Sequence, residues 1–267
     1  MIWDTHMHTH FSSDSTADIH EMIAAARNAG VGGICFTDHM DVDYPCDKPE
    51  TFFFDLPEYY EEMKRIQTQY QRSFPIRIGM ELGLQPHLKD KLPQITEAYP
   101  LDFVIGSSHL VNHMDPYYPE FFQGKEEADA YREYFESILE NLTFFDCFDV
   151  YGHIDYIVRY GPNTNKFYSY ETYSDVIDEI LRTLIQKGKG IEINTAGFKY
   201  GLGHPHPTEQ ILSRYHALGG EILTIGADAH KPEHVAYGFH KVPGILKEAG
   251  FRYFTVFEGR KPEFYPL

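Results

Sequence analysis

The chain has 267 residues, of which 42% are hydrophobic and 24% are charged, a composition typical of a folded globular protein and unlike that of a disordered one. Its 40 acidic residues outnumber its 23 basic residues and give a formal net charge of −17, which disfavours binding to a nucleic-acid backbone. No segment approaches the roughly 18 apolar residues of a membrane helix, and Cys35, Cys46 and Cys147 form no C-x-x-C pair, which argues against a thiolate metal site and predicts a cytoplasmic protein.

Short β-type segments alternate with helical segments along the chain, as in proteins whose parallel strands are connected by helices. Strands are predicted at residues 2–5, 33–37, 76–81, 103–107, 150–153, 190–194 and 222–227, with 253–256 as a candidate eighth strand. Helices are predicted at residues 18–28, 57–71, 87–98, 126–141, 170–186, 208–217 and 232–249. The sequence therefore predicts an α/β fold, with residues 1–267 forming a single-domain barrel of seven or eight units.

Three connecting segments are long and rich in Pro, Tyr, Phe and Asp, namely residues 40–55, 110–125 and 159–169. Loops of this length usually cover or line a binding site. Their aromatic side chains are candidates either for stacking on a substrate ring or for packing within a lid. These side chains are Phe52, Phe53, Phe54, Tyr117 and Tyr118.

Each predicted strand ends in, or runs directly into, a side chain that can bind a metal ion. In chain order these segments are residues 4–8, 37–39, 79–81, 107–109, 151–153, 192–194 and 227–230. A single histidine near a strand is more often a core or surface residue than a ligand. Because parallel barrel strands open on one face, however, these side chains would converge, and converging buried polar groups are costly unless they are paired. The pattern predicts a metal site, and imidazole with carboxylate suits Zn, Mn or Fe.

The order of these motifs resembles the polymerase-and-histidinol-phosphatase (PHP) family over nearly the whole chain. The motifs are H-x-H at 6–8, T-D-H at 37–39, Glu81, S-x-H at 107–109, G-H-x-D at 152–155, E-I-N-T at 192–195 and D-A-H at 228–230. L-P-E-Y at 56–59 and E-I-N-T-x-G ahead of Lys199 favour the histidinol-phosphatase branch. The resemblance implies a distorted (β/α)7 TIM-like barrel that hydrolyses L-histidinol phosphate in histidine biosynthesis.

The resemblance also implies three divalent transition-metal ions and a set of ligands for each. The first ion would take His6, His8, Glu81 and Asp228, the second would share Glu81 with His109 and His153, and the third would take His39, His230 and Asp14. Many relatives have histidine in place of Asp14. An aspartate also binds metal ions, and this departure from the family pattern bears on the metal preference of the third site.

Two adjacent cations would supply a bridging hydroxide that attacks phosphorus, with Glu81 and Asp228 as catalytic ligands. Arg159 and Lys199 follow strand ends and are candidates for binding the phosphate, although either residue is alternatively a solvated loop charge. Asp38 either orients a ligand or donates a proton to the leaving alkoxide. Two further residues near the strand ends are predicted to contact substrate, Ser108 and His10.

Two other functions are compatible with these motifs. The first is a PHP-type phosphoesterase acting on nucleotides or other small phosphate esters, and the second is a metal-binding module without catalysis. A nucleic-acid-binding relative should carry a basic groove studded with aromatic residues, and the sequence has no such run. The predicted partner is therefore a small phosphate ester, with neither nucleic acid nor a membrane.

Overall fold

A curled parallel sheet forms the centre of the computed structural model, which describes residues 1–45 and 52–267. Its strands are β1 (Ile34–Phe36), β2 (His39–Met40), β3 (Ile76–Gly83), β4 (Phe103–Ser107), β5 (Val150–Tyr151), β6 (Gly190–Asn194) and β7 (Leu223–Gly226). The pairing order is β1, β3, β4, β5, β6, β7, and β2 also pairs with β3. All of these pairings are parallel.

The N-terminal segment closes this sheet by lying between β1 and β7. Asp4 forms a parallel bridge with Ile34, and Met7 forms one with Ala229. The predicted first strand, residues 2–5, occupies this position, but its pairing is too irregular to make a continuous strand. The closed arrangement confirms the predicted distorted (β/α)7 barrel.

Eight α-helices are described around the sheet. They are α1 (Ile19–Ala29), α2 (Leu56–Tyr70), α3 (Leu92–Glu97), α4 (Glu127–Phe144), α5 (Ser174–Gln186), α6 (Ala196–Lys199), α7 (Glu209–Ala217) and α8 (Val242–Glu248). The carboxylate of Asp18 caps α1 and that of Asp55 caps α2 by accepting first-turn N–H groups, as expected for this residue type. Among the helices of residues 1–45 and 52–267, none combines the length and the apolar character of a membrane-spanning segment.

The predicted helix at residues 232–249 is wrong in its first half. This segment contains two 3₁₀ turns, at Pro232–His234 and Phe239–Lys241, before α8 begins. Gly238 lies between them with a φ of 73°, a left-handed conformation that interrupts a helix and that glycine adopts readily. Cys46 and part of the predicted 40–55 loop lie outside the described residues.

The predicted eighth barrel strand is also wrong, because this segment belongs to a separate hairpin. The strands β8 (Tyr253–Glu258) and β9 (Lys261–Pro266) pair with each other in antiparallel fashion. Phe257 stacks on Phe103 with ring centroids 5.2 Å apart, and both rings pack with Cys35, Ile105 and Val150. The hairpin thereby covers the end of the barrel at which β4 begins.

Arg260, at the turn of the hairpin, anchors it to the barrel. Its Nε donates to the carboxylate of Asp149 over 2.5 Å, and its guanidinium also donates to the carbonyl oxygen of Cys147 over 2.8 Å. Asp149 is buried and also accepts the backbone N–H of Val104. Arg260 is therefore the charged partner of the buried Asp149 carboxylate.

We expect Arg260→Ala to lower the free energy of unfolding by about 2 kcal/mol, because a buried carboxylate loses its charged donor. Urea denaturation followed by the fluorescence of Trp3, the one tryptophan of the chain, measures this change. Lys261→Ala is the matched control, since it alters the neighbouring exposed residue of the same hairpin. Equal unfolding free energies for the two variants would contradict the anchoring role.

Candidate metal centre

Glu81, near the end of β3, is a fully buried carboxylate surrounded by five imidazoles. Its Oε2 lies 3.2 Å from His6 Nε2, 3.6 Å from His8 Nε2 and 3.0 Å from His39 Nδ1, and its Oε1 lies 3.1 Å from His109 Nε2 and 2.9 Å from His153 Nε2. Ser107 also donates its hydroxyl to Oε1 over 2.8 Å. Glu81 is therefore the group that the predicted ligands share.

Strand register and alternation bring these side chains together. His39 pairs directly with Glu81 across β2 and β3. His6 and His8 lie two residues apart, so they point to the same side of an extended segment. Gly226 in β7 leaves the space that this segment needs, because a Cβ there would lie 2.3 Å from the Cβ of His6. The close approach of β7 to the N-terminal segment thus requires glycine at this position.

The remaining predicted ligands complete overlapping groups around Glu81. Donor atoms lie within 4.8 Å of one another in the groups His6, His8, Glu81; Glu81, His109, His153; and His8, His39, His230. Asp228 Oδ1 is 3.4 Å from His8 Nε2, and Asp14 Oδ2 is 3.0 Å from His230 Nε2 and 3.7 Å from His39 Nε2. The structure therefore brings every predicted metal ligand to one end of the barrel.

Charges within the cluster shift the pKa values of its members in opposite directions. Burial would raise the pKa of Glu81, but the charges of His6, His109 and His39 hold it well below its usual range. Burial would lower the pKa of His6, but the carboxylates of Glu192 and Glu81 hold it well above its usual range. Burial lowers the pKa of His8, and the neighbouring imidazoles lower it further. The pKa values of His6 and His8, two neighbouring imidazoles of the cluster, therefore shift in opposite directions.

A second layer of polar groups fixes the ring orientations of these imidazoles. Glu192 in β6 places Oε1 2.6 Å from His6 Nδ1, and Asp41 places Oδ1 2.7 Å from His109 Nδ1. The hydroxyl of Ser12 lies 3.1 Å from His8 Nδ1. None of these three roles was predicted from the sequence, although Glu192 belongs to the E-I-N-T motif and faces the barrel interior two residues before Asn194.

A cavity of about 470 Å³ opens beside the cluster. Both predicted phosphate-binding residues line it. The guanidinium of Arg159 is held over the rings of Tyr160 and Tyr200, at 4.6 and 4.4 Å from their centroids. The ammonium group of Lys199 donates a hydrogen bond to the carbonyl oxygen of Asp228 over 3.0 Å, and burial lowers the pKa of Lys199. Cationic side chains therefore lie next to the candidate metal ligands.

Two predicted substrate-binding residues, Ser108 and His10, do not line this cavity. The hydroxyl of Ser108 contacts Tyr151 and Asn141 (2.6 and 2.9 Å), so its side chain is buried on the helix-facing side of β4. His10 is exposed and packs on Phe11 with ring centroids 4.5 Å apart. These placements do not support substrate contact by Ser108 or His10.

Asp38 is buried behind the cluster. Its carboxylate accepts the backbone N–H and the hydroxyl of both Thr9 and Ser12. Since the Ser12 hydroxyl also lies beside His8, this geometry favours the ligand-orienting alternative for Asp38 over proton donation to a leaving group.

The aromatic loop residues divide into two sets. Phe52, Tyr117 and Tyr118 line the cavity, and the ring of Phe52 meets His39 edge-on with centroids 5.6 Å apart. Phe54 is buried against Tyr59 instead, and Phe53 is exposed. Three of the five rings therefore line the cavity, and Phe54 packs in the protein interior; stacking of a ring on the substrate stays a prediction.

Comparison with known proteins assigns the family. The PHP domain profile matches residues 4–196. The histidinol-phosphatase of Lactococcus lactis subsp. lactis is 35% identical over 263 residues, which cover 97% of this chain and 95% of that protein. A probable histidinol-phosphatase of Clostridium acetobutylicum is 34% identical over 90% of each chain. The crystal structure of the L. lactis histidinol phosphate phosphatase complexed with zinc, L-histidinol and phosphate superposes with a TM-score of 0.91, at 33% identity over 98% of each chain. The chain therefore belongs to the PHP domain family.

Proposed function

We propose that this chain is a metal-dependent phosphatase that hydrolyses L-histidinol phosphate to L-histidinol and phosphate, and so acts in histidine biosynthesis. The observation that carries the proposal is the convergence of imidazoles and carboxylates on Glu81, beside a cavity that also holds Arg159 and Lys199. Cationic groups of this kind stabilise the negative charge on a transferring phosphoryl group. The L-histidinol and phosphate in the structure of the L. lactis relative support this substrate.

The donor set fits divalent transition-metal ions. Several buried donor atoms make no hydrogen bond within the described part of the chain, namely His6 Nε2, His8 Nε2, His39 Nδ1, Glu81 Oε2 and His230 Nε2. Each of these atoms lies within ion-pair distance of a group that can carry the opposite charge but makes no hydrogen bond with it. Buried polar atoms without hydrogen bonds are costly, and bound cations would satisfy this set together. Imidazole and carboxylate donors suit zinc, manganese and iron, and zinc is the ion in the L. lactis structure.

We assign three ions to these residues. The first ion would be held by His6, His8, Glu81 and Asp228, and the second ion by Glu81, His109 and His153. The third ion would be held by His39, His230 and Asp14. Bound divalent ions lower the pKa of a water ligand and neutralise charge on the phosphoryl oxygens.

The side chains around the ions have two tasks in the proposed reaction. Arg159 and Lys199 bind the phosphate, and the guanidinium of Arg159 suits a bidentate contact with two phosphate oxygens. The tyrosines that flank Arg159 hold its guanidinium in place before substrate enters. Glu192 and Asp41 fix the rings of His6 and His109, so that the donor nitrogens of both imidazoles stay aimed at the cluster.

Phosphate release from a panel of esters tests the substrate. With zinc-loaded protein, we expect kcat/KM for L-histidinol phosphate to exceed that for nucleotides and sugar phosphates by at least about 100-fold. A substrate without the matching groups leaves buried polar groups of the cavity without hydrogen-bond partners, which weakens its binding in the transition state. His8→Ala should lower both the zinc content and the activity, and it controls for a contaminating phosphatase.

Two results would favour the other functions. Equal or faster turnover of nucleotides or sugar phosphates would replace the substrate but keep the phosphoesterase class. If zinc-loaded protein hydrolysed none of the esters, the metal-binding module without catalysis would be the better description.

Glu192→Gln tests the orienting layer. The change keeps the shape of the side chain but weakens the contact with His6 Nδ1, so we expect zinc affinity to fall by about 10- to 100-fold. Competition with a chromophoric chelator measures the affinity. Glu179→Gln, an exposed change on α5, is the matched control, and an unchanged affinity in Glu192→Gln would contradict the role.

Proton release on zinc binding tests the electrostatics of the cluster. Burial would lower the pKa of His109, but Asp41 and Glu81 outweigh burial and raise it to about 10. A raised pKa keeps the imidazole protonated at neutral pH in metal-free protein, and the proton is lost only as the pH rises towards that value. Because zinc binds neutral imidazole, binding at neutral pH should release protons, and the apparent affinity should rise with pH.

Titration calorimetry in two buffers of different ionisation enthalpy measures the number of protons released. We expect fewer protons in Asp41→Asn, since that variant lacks a carboxylate that holds the proton on His109. Identical binding enthalpies in the two buffers would show that the imidazoles are neutral before zinc binds.

A further inference from the structure

Asp115 differs from the other acidic side chains that line the cavity. Within the described residues, Asp14, Glu81 and Asp228 lie against candidate ligand imidazoles, and Asp41 lies against His109. Asp115 lines the same cavity, but its carboxylate forms neither an ion pair nor a hydrogen bond with an imidazole in this part of the chain. The carboxylate of Asp115 is therefore free of the candidate metal ligands and can bind a cationic group of a ligand in the cavity.

The carboxylate of Asp115 is held in a defined position. Its Oδ1 accepts the backbone N–H of Tyr117 over 2.7 Å, and its Oδ2 accepts the hydroxyl of Tyr44. Burial raises the pKa of Asp115, and these two hydrogen bonds oppose that shift by favouring the ionised form. A carboxylate has acceptor capacity for about four hydrogen bonds, so Asp115 keeps acceptor positions for a donor in the cavity.

Aromatic rings line the same cavity as this carboxylate. Tyr44 packs on Phe52 with ring centroids 4.5 Å apart, and Tyr117 meets Tyr160 edge-on at 5.6 Å. All four rings line the cavity. An ammonium group is stabilised both by a carboxylate and by the faces of aromatic rings, so this wall of the cavity has the chemistry of a site for an organic cation.

The cavity therefore carries two kinds of charge outside the ligand cluster. Arg159 and Lys199 provide positive charge and Asp115 provides negative charge. L-Histidinol phosphate has the matching pattern, with an anionic phosphate at one end and an α-ammonium group on the adjoining carbon chain. We propose that Asp115 binds the α-ammonium group of the substrate and is the residue that selects aminated phosphate esters; this inference rests on the proposed function.

Kinetics of Asp115→Asn with two substrates test the assignment. The substrates are L-histidinol phosphate and its deamino analogue, which lacks only the amino group and has the same type of alkoxide leaving group. With the zinc-loaded full chain, we expect kcat/KM for L-histidinol phosphate to fall by roughly 10- to 100-fold, mainly through KM, because a charge-assisted hydrogen bond to the ammonium is lost. The value for the deamino analogue should stay within about twofold.

Asp43→Asn is the matched control. It removes the same charge from the residue next to Tyr44, but Asp43 pairs with His87 at 3.2 Å, and neither residue lines the cavity. We expect this variant to retain the wild-type preference for the aminated substrate. Zinc content is measured for both variants, so that a loss of metal is recognised.

Each other result overturns the assignment. An equal loss on both substrates would indicate a structural or proton-donating role for Asp115, and an unchanged preference would show that the ammonium group is bound elsewhere. If the wild type hydrolyses other phosphate esters but not L-histidinol phosphate, the proposed function fails together with this inference. If the wild type hydrolyses L-histidinol phosphate and Asp115→Asn keeps its preference, only the assignment of Asp115 fails.

Discussion

The buried carboxylate of Glu81 is the group on which the rest of the site depends. An ionised carboxylate in a dry interior costs several kcal/mol unless positive charge compensates it, and here imidazoles from four other segments provide that charge. His6 reaches Glu81 only because the N-terminal segment inserts between β1 and β7. The segment that closes the barrel is therefore also the segment that brings His6 to the metal-ligand cluster.

The barrel interior has an apolar end and a polar end. On β4, Phe103 and Ile105 face the interior at the end covered by the hairpin, whereas Ser107 reaches Glu81. Phe257 from the hairpin fills the apolar end. Burial of these side chains stabilises the strands by the hydrophobic effect, and this stabilisation offsets the cost of gathering charged groups at the other end. The hairpin thus supports the site although it lies far from it.

The sequence predicted a metal site because one rule of parallel barrels, that all strand ends open on one face, depends on strand order alone. The individual ligands came from the resemblance to the PHP family. The sequence did not predict what depends on side-chain direction or on contacts between distant segments. Ser107 faces Glu81 while Ser108 faces the helices, since adjacent strand residues point to opposite sides. The contact of Glu192 with His6 joins residues 186 positions apart, and no local pattern encodes it. The hairpin was mistaken for a barrel strand because its residues have the same β-type composition.

Exposure increases across the cluster from the barrel interior to the cavity mouth, and Asp14 lies at the exposed end. The side chain of Glu81 is 1% exposed, that of His39 11%, that of His230 21% and that of Asp14 41%. A deeply buried ligand has only protein groups as partners, so its replacement leaves its neighbours uncompensated. Asp14 lies at the mouth, where water can hydrate either a carboxylate or an imidazole. Of these four positions, a change of ligand type is therefore least costly at Asp14, the position at which the resemblance implies histidine in many relatives.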